Sequence, residues 1–158
     1  MDSKLKEYLK DNNISYSIYR HPASFTVQES KKLVKNVPGV HTKNLFLKDE
    51  KGRFYLICIE AEKRINTNFL KRRLEVKELN FGSKEELKSE LNTTPGSVSI
   101  FGAIYAKSTH LIIDKDIWEA EQSGFHPNIN TSTLVLDHQN LEKFCNSLKI
   151  NKEIIKLG

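Results

Sequence analysis

The sequence has little of what cofactor- and metal-dependent proteins usually carry. Its 158 residues include two cysteines, one tryptophan, one methionine and four prolines. Cys58 lies in an apolar strand-like run and Cys145 in a helical pattern, with no CxxC partner for either. Buried reduced thiols are therefore expected, not a disulfide framework or a thiolate metal site. The five histidines, His21, His41, His110, His126 and His138, show no HExxH spacing. Gly96 and Gly102 stand without the GK[ST] of a phosphate-binding loop or the third glycine of a dinucleotide fingerprint. No GxSxG-type nucleophile signature is present, so covalent hydrolysis is unsupported. No apolar run approaches the ~20 residues that span a bilayer, and the N-terminus lacks the basic-then-apolar order of a signal peptide. A cytoplasmic protein without cofactor, metal or membrane partner is the expectation.

What is present is ordinary globular chemistry. Hydrophobic residues at 38% and charged residues at 28% suit a folded core, and the length suits one domain over residues 1–158. A net charge of +5 is compatible with a polyanionic partner without demanding one. The apolar spacing predicts a helix over Ser3 to Asn12 and a strand over Tyr16 to Tyr19. Thr26-Val27-Gln28-Glu29 reads as a capping box opening a helix through about Val34. A strand follows the Pro38-Gly39 turn, and Asp49-Glu50-Lys51-Gly52 turns it into an antiparallel partner from Arg53 to Glu60. A helix from Asn66 to Leu74 with Thr67 as cap, a short strand near Glu78 to Phe81 and a capping-box helix from Ser83 to Leu91 come next. Then come a strand from His110 to Asp114, a one-turn helix around Trp118, a strand from Thr133 to Leu136 and a helix from Gln139 to Leu148. The tail beyond reads as peripheral. Hairpin-joined and helix-separated strands together predict an α+β fold with a mixed, largely antiparallel sheet flanked by helices.

The stretch Pro38-Gly39-Val40-His41-Thr42-Lys43-Asn44-Leu45-Phe46-Leu47 is the one most suggestive of chemistry. Its turn delivers Lys43 and Asn44 to the first position of an apolar strand, where an ammonium and an amide belong at the mouth of a cleft. Thr94-Pro95-Gly96-Ser97-Val98 and Gly124-Phe125-His126-Pro127-Asn128 are likewise polar turns beside apolar material and could line the same site. A lysine, an amide, a histidine and a glycine turn are equipment for positioning an anionic or carbonyl substrate. Between Lys63 and Lys77, the residues Lys63, Arg64, Lys71, Arg72 and Arg73 form a basic stretch that would draw phosphates, although a solvated helix face explains them equally.

In their order and spacing these stretches resemble the free-standing aminoacyl-tRNA deacylases of the YbaK and prolyl-tRNA synthetase editing-domain superfamily, most closely the ProXp-ala (PrdX) branch. The likeness runs from His21-Pro22-Ala23-Ser24-Phe25 through His41-Thr42-Lys43-Asn44 and Gly96-Ser97 to His126-Pro127. It implies a curled, YbaK-like mixed sheet and hydrolysis in trans of alanine misattached to proline tRNA. The runner-up substrates are cysteine- or serine-charged tRNA, and a further alternative is an inactive homologue that binds tRNA or a synthetase. The resemblance casts Lys43, Gly96 and His126 as the catalytic set. Asn44, Ser97, Phe25, Val27, Phe46 and Ile100 become substrate contacts. Lys43 is expected at the terminal adenosine or its phosphate, and the backbone amides of the Gly96 loop at the aminoacyl group. The implied partner is the acceptor end of proline tRNA, with prolyl-tRNA synthetase as a second candidate, and the protein is expected to be a monomer. One departure stands out: Ile100 replaces the proline that usually closes the family's GxxxP loop, removing a fixed φ.

Overall fold

The computed structural model describes residues 2–21, 37–127 and 131–157. The Thr26 capping box, with Phe25 and Val27, lies outside the described residues. So do Asn128 and Asn130.

The elements in chain order are α1 (Ser3–Asp11), β1 (Ser17–Arg20), β2 (Val40–Asp49), β3 (Phe54–Glu60), α2 (Thr67–Leu74), β4 (Leu79–Phe81) and α3 (Lys84–Leu91). Two 3-10 turns, Pro95–Ser97 and Ile100–Ile104, precede β5 (His110–Asp114), α4 (Lys115–Trp118), β6 (Gln122–Phe125), β7 (Ser132–Asp137), α5 (His138–Ser147) and β8 (Lys152–Ile155). Side-chain caps set the helix starts. Asp2 accepts from the Leu5 amide at 2.7 Å, and Ser83 and Glu86 form the reciprocal capping box of α3. The cap of α2 is Asn66, not Thr67: its side chain accepts from the Phe69 amide at 3.0 Å while Thr67 is already helical.

The sheet runs in the order β1-β7-β6-β2-β3-β5-β8, with β4 also paired to β2. β1–β7, β6–β7, β2–β3 and β2–β4 are antiparallel, whereas β2–β6, β3–β5 and β5–β8 are parallel. The sheet is thus more evenly mixed than the sequence suggests. Three of its pairings join strands distant in sequence, whose parallel sense no local turn announces. The tail is not peripheral either: β8 pairs with β5, and Ile155 and Leu157 are buried.

Side chains alternate across the sheet and divide the interior in two. One face carries the main core, where Leu5, Leu9, Leu87, Leu91, Leu141 and Phe144 of the helices cover Phe46, Leu56, Cys58, Leu111, Ile113, Phe125 and Leu134. The opposite face packs Leu47, Tyr55, Ile57, Ile59 and Ile112 under Leu70, with Leu45 and Phe69 at its margin. Both cysteines are free and buried. Burial pushes the Cys58 thiol well up and that of Cys145 to about 12, so both stay protonated and inert.

Candidate active site

β2 is the longest strand, and its start is fixed by glycine. Gly39 has φ +90°, and a Cβ there would lie 2.8 Å from the backbone C and O of Gln122. Only glycine lets the chain turn this close to β6. The approach pairs Val40 with Ser123 and His41 with Gly124, and the Thr42 hydroxyl secures it by donating to the Gly124 carbonyl at 2.7 Å. The strand therefore begins at Val40, which places Lys43 and Asn44 inside it and not at its first position.

That correction separates the two side chains. Lys43 is opposite Ile59, on the face of Leu45 and Leu47, whereas Asn44 is opposite Cys58, on the main-core face. Yet both flank the same notch. β6 covers Val40 and His41 and β4 covers Leu47 to Asp49, so among the described residues no strand pairs with this edge from Thr42 to Phe46. The His41 carbonyl is taken by Ala61 on the β3 side and the Phe46 carbonyl by Gly82 on the other. Alternation of the ladder then turns the backbone N–H and C=O of Asn44 into the notch. The Asn44 Oδ1 is buried and has no partner among the described residues.

Beside the notch lies a histidine cluster with a glycine floor. A Cβ at Gly124 would stand 3.0 Å from Thr133 Cγ2 and 3.8 Å from His41 Nδ1, so the missing side chain lets β6 close against these neighbours. His21 Nε2 and Thr133 Oγ1 are 2.9 Å apart, and the His21 and His126 rings meet edge to face at 6.0 Å. His126 Nδ1 lies 3.0 Å from the Ser132 carbonyl. A carbonyl only accepts, so Nδ1 carries the proton and Nε2 of the neutral ring presents a lone pair. Burial lowers the His126 pKa; the Ser132 bond opposes this and the His21 charge adds to it. His41 is lowered by burial, with Glu62 pulling the other way. Lys43 is lowered by burial and then by the charge of Arg64, leaving an ammonium that would gain from an anion.

The Gly96 loop is tied to this cluster through a residue that sequence reasoning passed over. Ser99, wholly buried, donates through Oγ to the His126 carbonyl and accepts from the Phe101 amide at 3.1 Å. Gly96 is exposed in its 3-10 turn, while the Ser97 amide is already used by the Thr94 carbonyl at 2.9 Å. Among the described residues no hydrogen bond joins Lys43 directly to Gly96 or His126. The only sign of Ser99 in the sequence is a small polar residue within an apolar run.

Two further expected contacts lie in the core. Ile100, at 0% exposure, and Phe46 are enclosed in the main core; Phe46 stacks on Phe54 at 5.1 Å beneath Gly82. The basic stretch is divided between paired and exposed side chains. Lys63 is held by Asp116, by Asp114 at 3.3 Å and by Glu60 at 3.8 Å. Arg73 pairs with Glu153 at 3.2 Å, Lys71 is half-buried, and Arg64 and Arg72 are exposed.

A notch in a mixed sheet flanked by a half-buried lysine, with a neutral histidine nearby, defines a site for holding a polar substrate. The chain belongs to the aminoacyl-tRNA editing domain family, whose model matches residues 21–144. It is 32% identical to the prolyl-tRNA editing protein ProX of Acetoanaerobium sticklandii, over 85% of this chain and 84% of that one. It is 30% identical to prolyl-tRNA synthetase associated domain-containing protein 1 of Danio rerio, over 89% of this chain and 79% of that one. A crystal structure described as a candidate trans-editing enzyme for prolyl tRNA synthetase superposes with a TM-score of 0.75 at 16% identity, covering 99% of this chain and 98% of that one. That last likeness establishes the fold. The family makes the chain an ester hydrolase of the aminoacyl-tRNA deacylase class.

Proposed function

We propose that this protein removes alanine in trans from mischarged proline tRNA, acting as one domain over residues 1–158. The observation that carries the reading is the likeness to ProX over 85% of the chain, joined to a Lys43 ammonium that burial leaves in want of an anion. An aminoacyl ester is already labile, so the protein need only fix the ester, orient a water and stabilise charge on the carbonyl oxygen. Lys43 meets the terminal adenosine or its phosphate. Asn44 offers its backbone groups and amide to the notch, and the Gly96 loop holds the aminoacyl group. His126 Nε2 accepts a hydrogen bond from the substrate end or from the attacking water. The substrate's free 2′-hydroxyl assists the attack. Arg64 and Arg72, both exposed, meet tRNA phosphates. Proline is refused by size, because a pocket distinguishes a single methylene by only about 1–3 kcal/mol and a ring must be excluded sterically.

The test is hydrolysis of Ala-, Cys-, Ser- and Pro-tRNA(Pro) by wild type and Lys43→Met. Selective loss of alanine is expected, with a fall of about 100-fold or more in the variant, the scale of losing one charge-stabilising group. Methionine keeps the apolar stem and removes a charge that burial disfavours, so the variant should melt no lower than wild type. Preferential loss of cysteine or serine would change the substrate, and no hydrolysis of any ester would sink the reading.

A further inference from the structure

Phe81 ends the short strand β4 and is 73% exposed. Ile154, at 38%, is the only other large hydrophobic side chain exposed among the described residues. Phe81 pairs with Leu47, and cross-strand partners share a face. The next residue confirms its direction: a Cβ on Gly82 would stand 2.4 Å from the Phe46 ring, on the main-core side, so Phe81 points to the opposite face. That is the face of Lys43 and Leu45. Four strand steps take the chain from Lys43 to Leu47, about 13 Å at ~3.3 Å per residue. Phe81 is one strand spacing to the side, ~4.8 Å away. A bare aromatic ring therefore lies about 14 Å from Lys43 along the same face of the sheet. On β2 only the half-buried Leu45 intervenes on this face, with no carboxylate to repel a phosphate chain.

We propose that Phe81 is a stacking platform for an unpaired base of the tRNA 3′ end, a few nucleotides back from the ester. The inference rests on the deacylase reading for the identity of its ligand. At ~3.4 Å per stacked nucleotide, the distance from Lys43 falls within reach of a short single-stranded end. Base-on-aromatic stacking needs one exposed ring and tolerates any base. A protein interface needs a contiguous apolar centre within roughly 800 Å² per partner, which a solitary phenylalanine does not supply. The net charge of +5 and the exposed Arg64, whose charge acts on Lys43, complement a phosphate backbone.

The test compares wild type with Phe81→Ala and Phe81→Tyr on full-length aminoacyl-tRNA and on the minimal aminoacyl-adenosine ester. Phe81→Ala should raise KM for aminoacyl-tRNA about tenfold with kcat unchanged, Phe81→Tyr should restore it, and neither should alter hydrolysis of the minimal ester. An unchanged KM overturns the proposal. Equal losses on both substrates would mark Phe81 as structural, and a loss seen only with a synthetase present would make it a protein contact; each also overturns it. Binding separates this from the catalytic reading. In Phe81→Trp the new indole should be quenched by an oligonucleotide ending in CCA that carries no amino acid, whether or not any ester is hydrolysed, and absence of quenching would refute stacking.

Discussion

His126 is the residue whose chemistry is most tightly specified by its neighbours. The Ser132 carbonyl fixes the Nδ1 proton, burial keeps the ring neutral, and Ser99 holds the backbone from below. Its usefulness as an acceptor disappears once Nε2 is protonated. Because its pKa is pushed below the ordinary 6.5, activity should be flat above about pH 7 and fall in acid with a midpoint below 6.5. The His21 charge contributes to that depression, so His21→Ala should move the midpoint upward. His126→Gln should lose about 10- to 100-fold in kcat/KM and flatten the acid limb. A wild-type profile independent of pH from 5 to 8 would remove the ring from the reaction. The placement of His126 and Lys43 beside apolar strands is legible in the sequence because polar residues there are conspicuous. The partition of Lys43 and Asn44 to opposite faces was not, since it depends on where β2 begins. That start is set by the fit of Gly39 against Gln122, a contact between residues more than 80 positions apart.

Among the elements, those specified by local chemistry were readable and those specified by distant pairing were not. The Ser83 box, the Asp49 turn and the apolar face of α5 each carry their signal within a few residues. In the turn, Asp49 accepts from the Lys51 and Arg53 amides, both at 2.9 Å, and from the Tyr55 hydroxyl at 2.7 Å. β6, Gln-Ser-Gly-Phe, has neither alternation nor branched residues; it is a strand because β2 and β7 sit on either side of it. β8, Lys-Glu-Ile-Ile, is a short charged-apolar run at the end of the chain, given a role only by its parallel contact with β5. That role is structural and can be measured. Ile155 is buried in the smaller core, and Ile155→Ala should cost about 2–4 kcal/mol in denaturant unfolding while leaving kcat/KM unchanged in the folded fraction. A cost below about 0.5 kcal/mol, the range of surface substitutions, would restore the tail to the periphery.

At the scale of the whole molecule, the fold keeps several imidazoles neutral on and around one sheet. His41 and His126 flank the notch, and His110 opens β5 with its ring 5.9 Å from Tyr55 and its Nε2 buried without a partner among the described residues. Burial is the leading cause of depression for all three. An unfolded chain binds protons on these rings near the ordinary 6.5, while the folded protein resists until the pH is lower. Their stabilising contribution is therefore complete above 6.5 and is lost as the pH falls through the depressed values. Carboxylates add a second step of the same sign at lower pH. Burial pushes Glu90 up, but its bonds to Ser108, Thr109 and Lys107 outweigh this, and the Tyr55, Arg53 and Lys51 bonds do the same for Asp49. Both end below their ordinary 4.5 and 3.8. The melting temperature should thus be level above about pH 7, decline first below 6.5 and again below 4.5. Self-repulsion of a chain already at +5 would also grow in acid, but high salt screens it and leaves the burial effect largely intact. The decisive comparison is His110→Asn, far along β5 from the notch, at high salt. It should flatten part of the first decline without changing the acid limb of activity, because stability sums all three rings whereas the proposed reaction reads only His126.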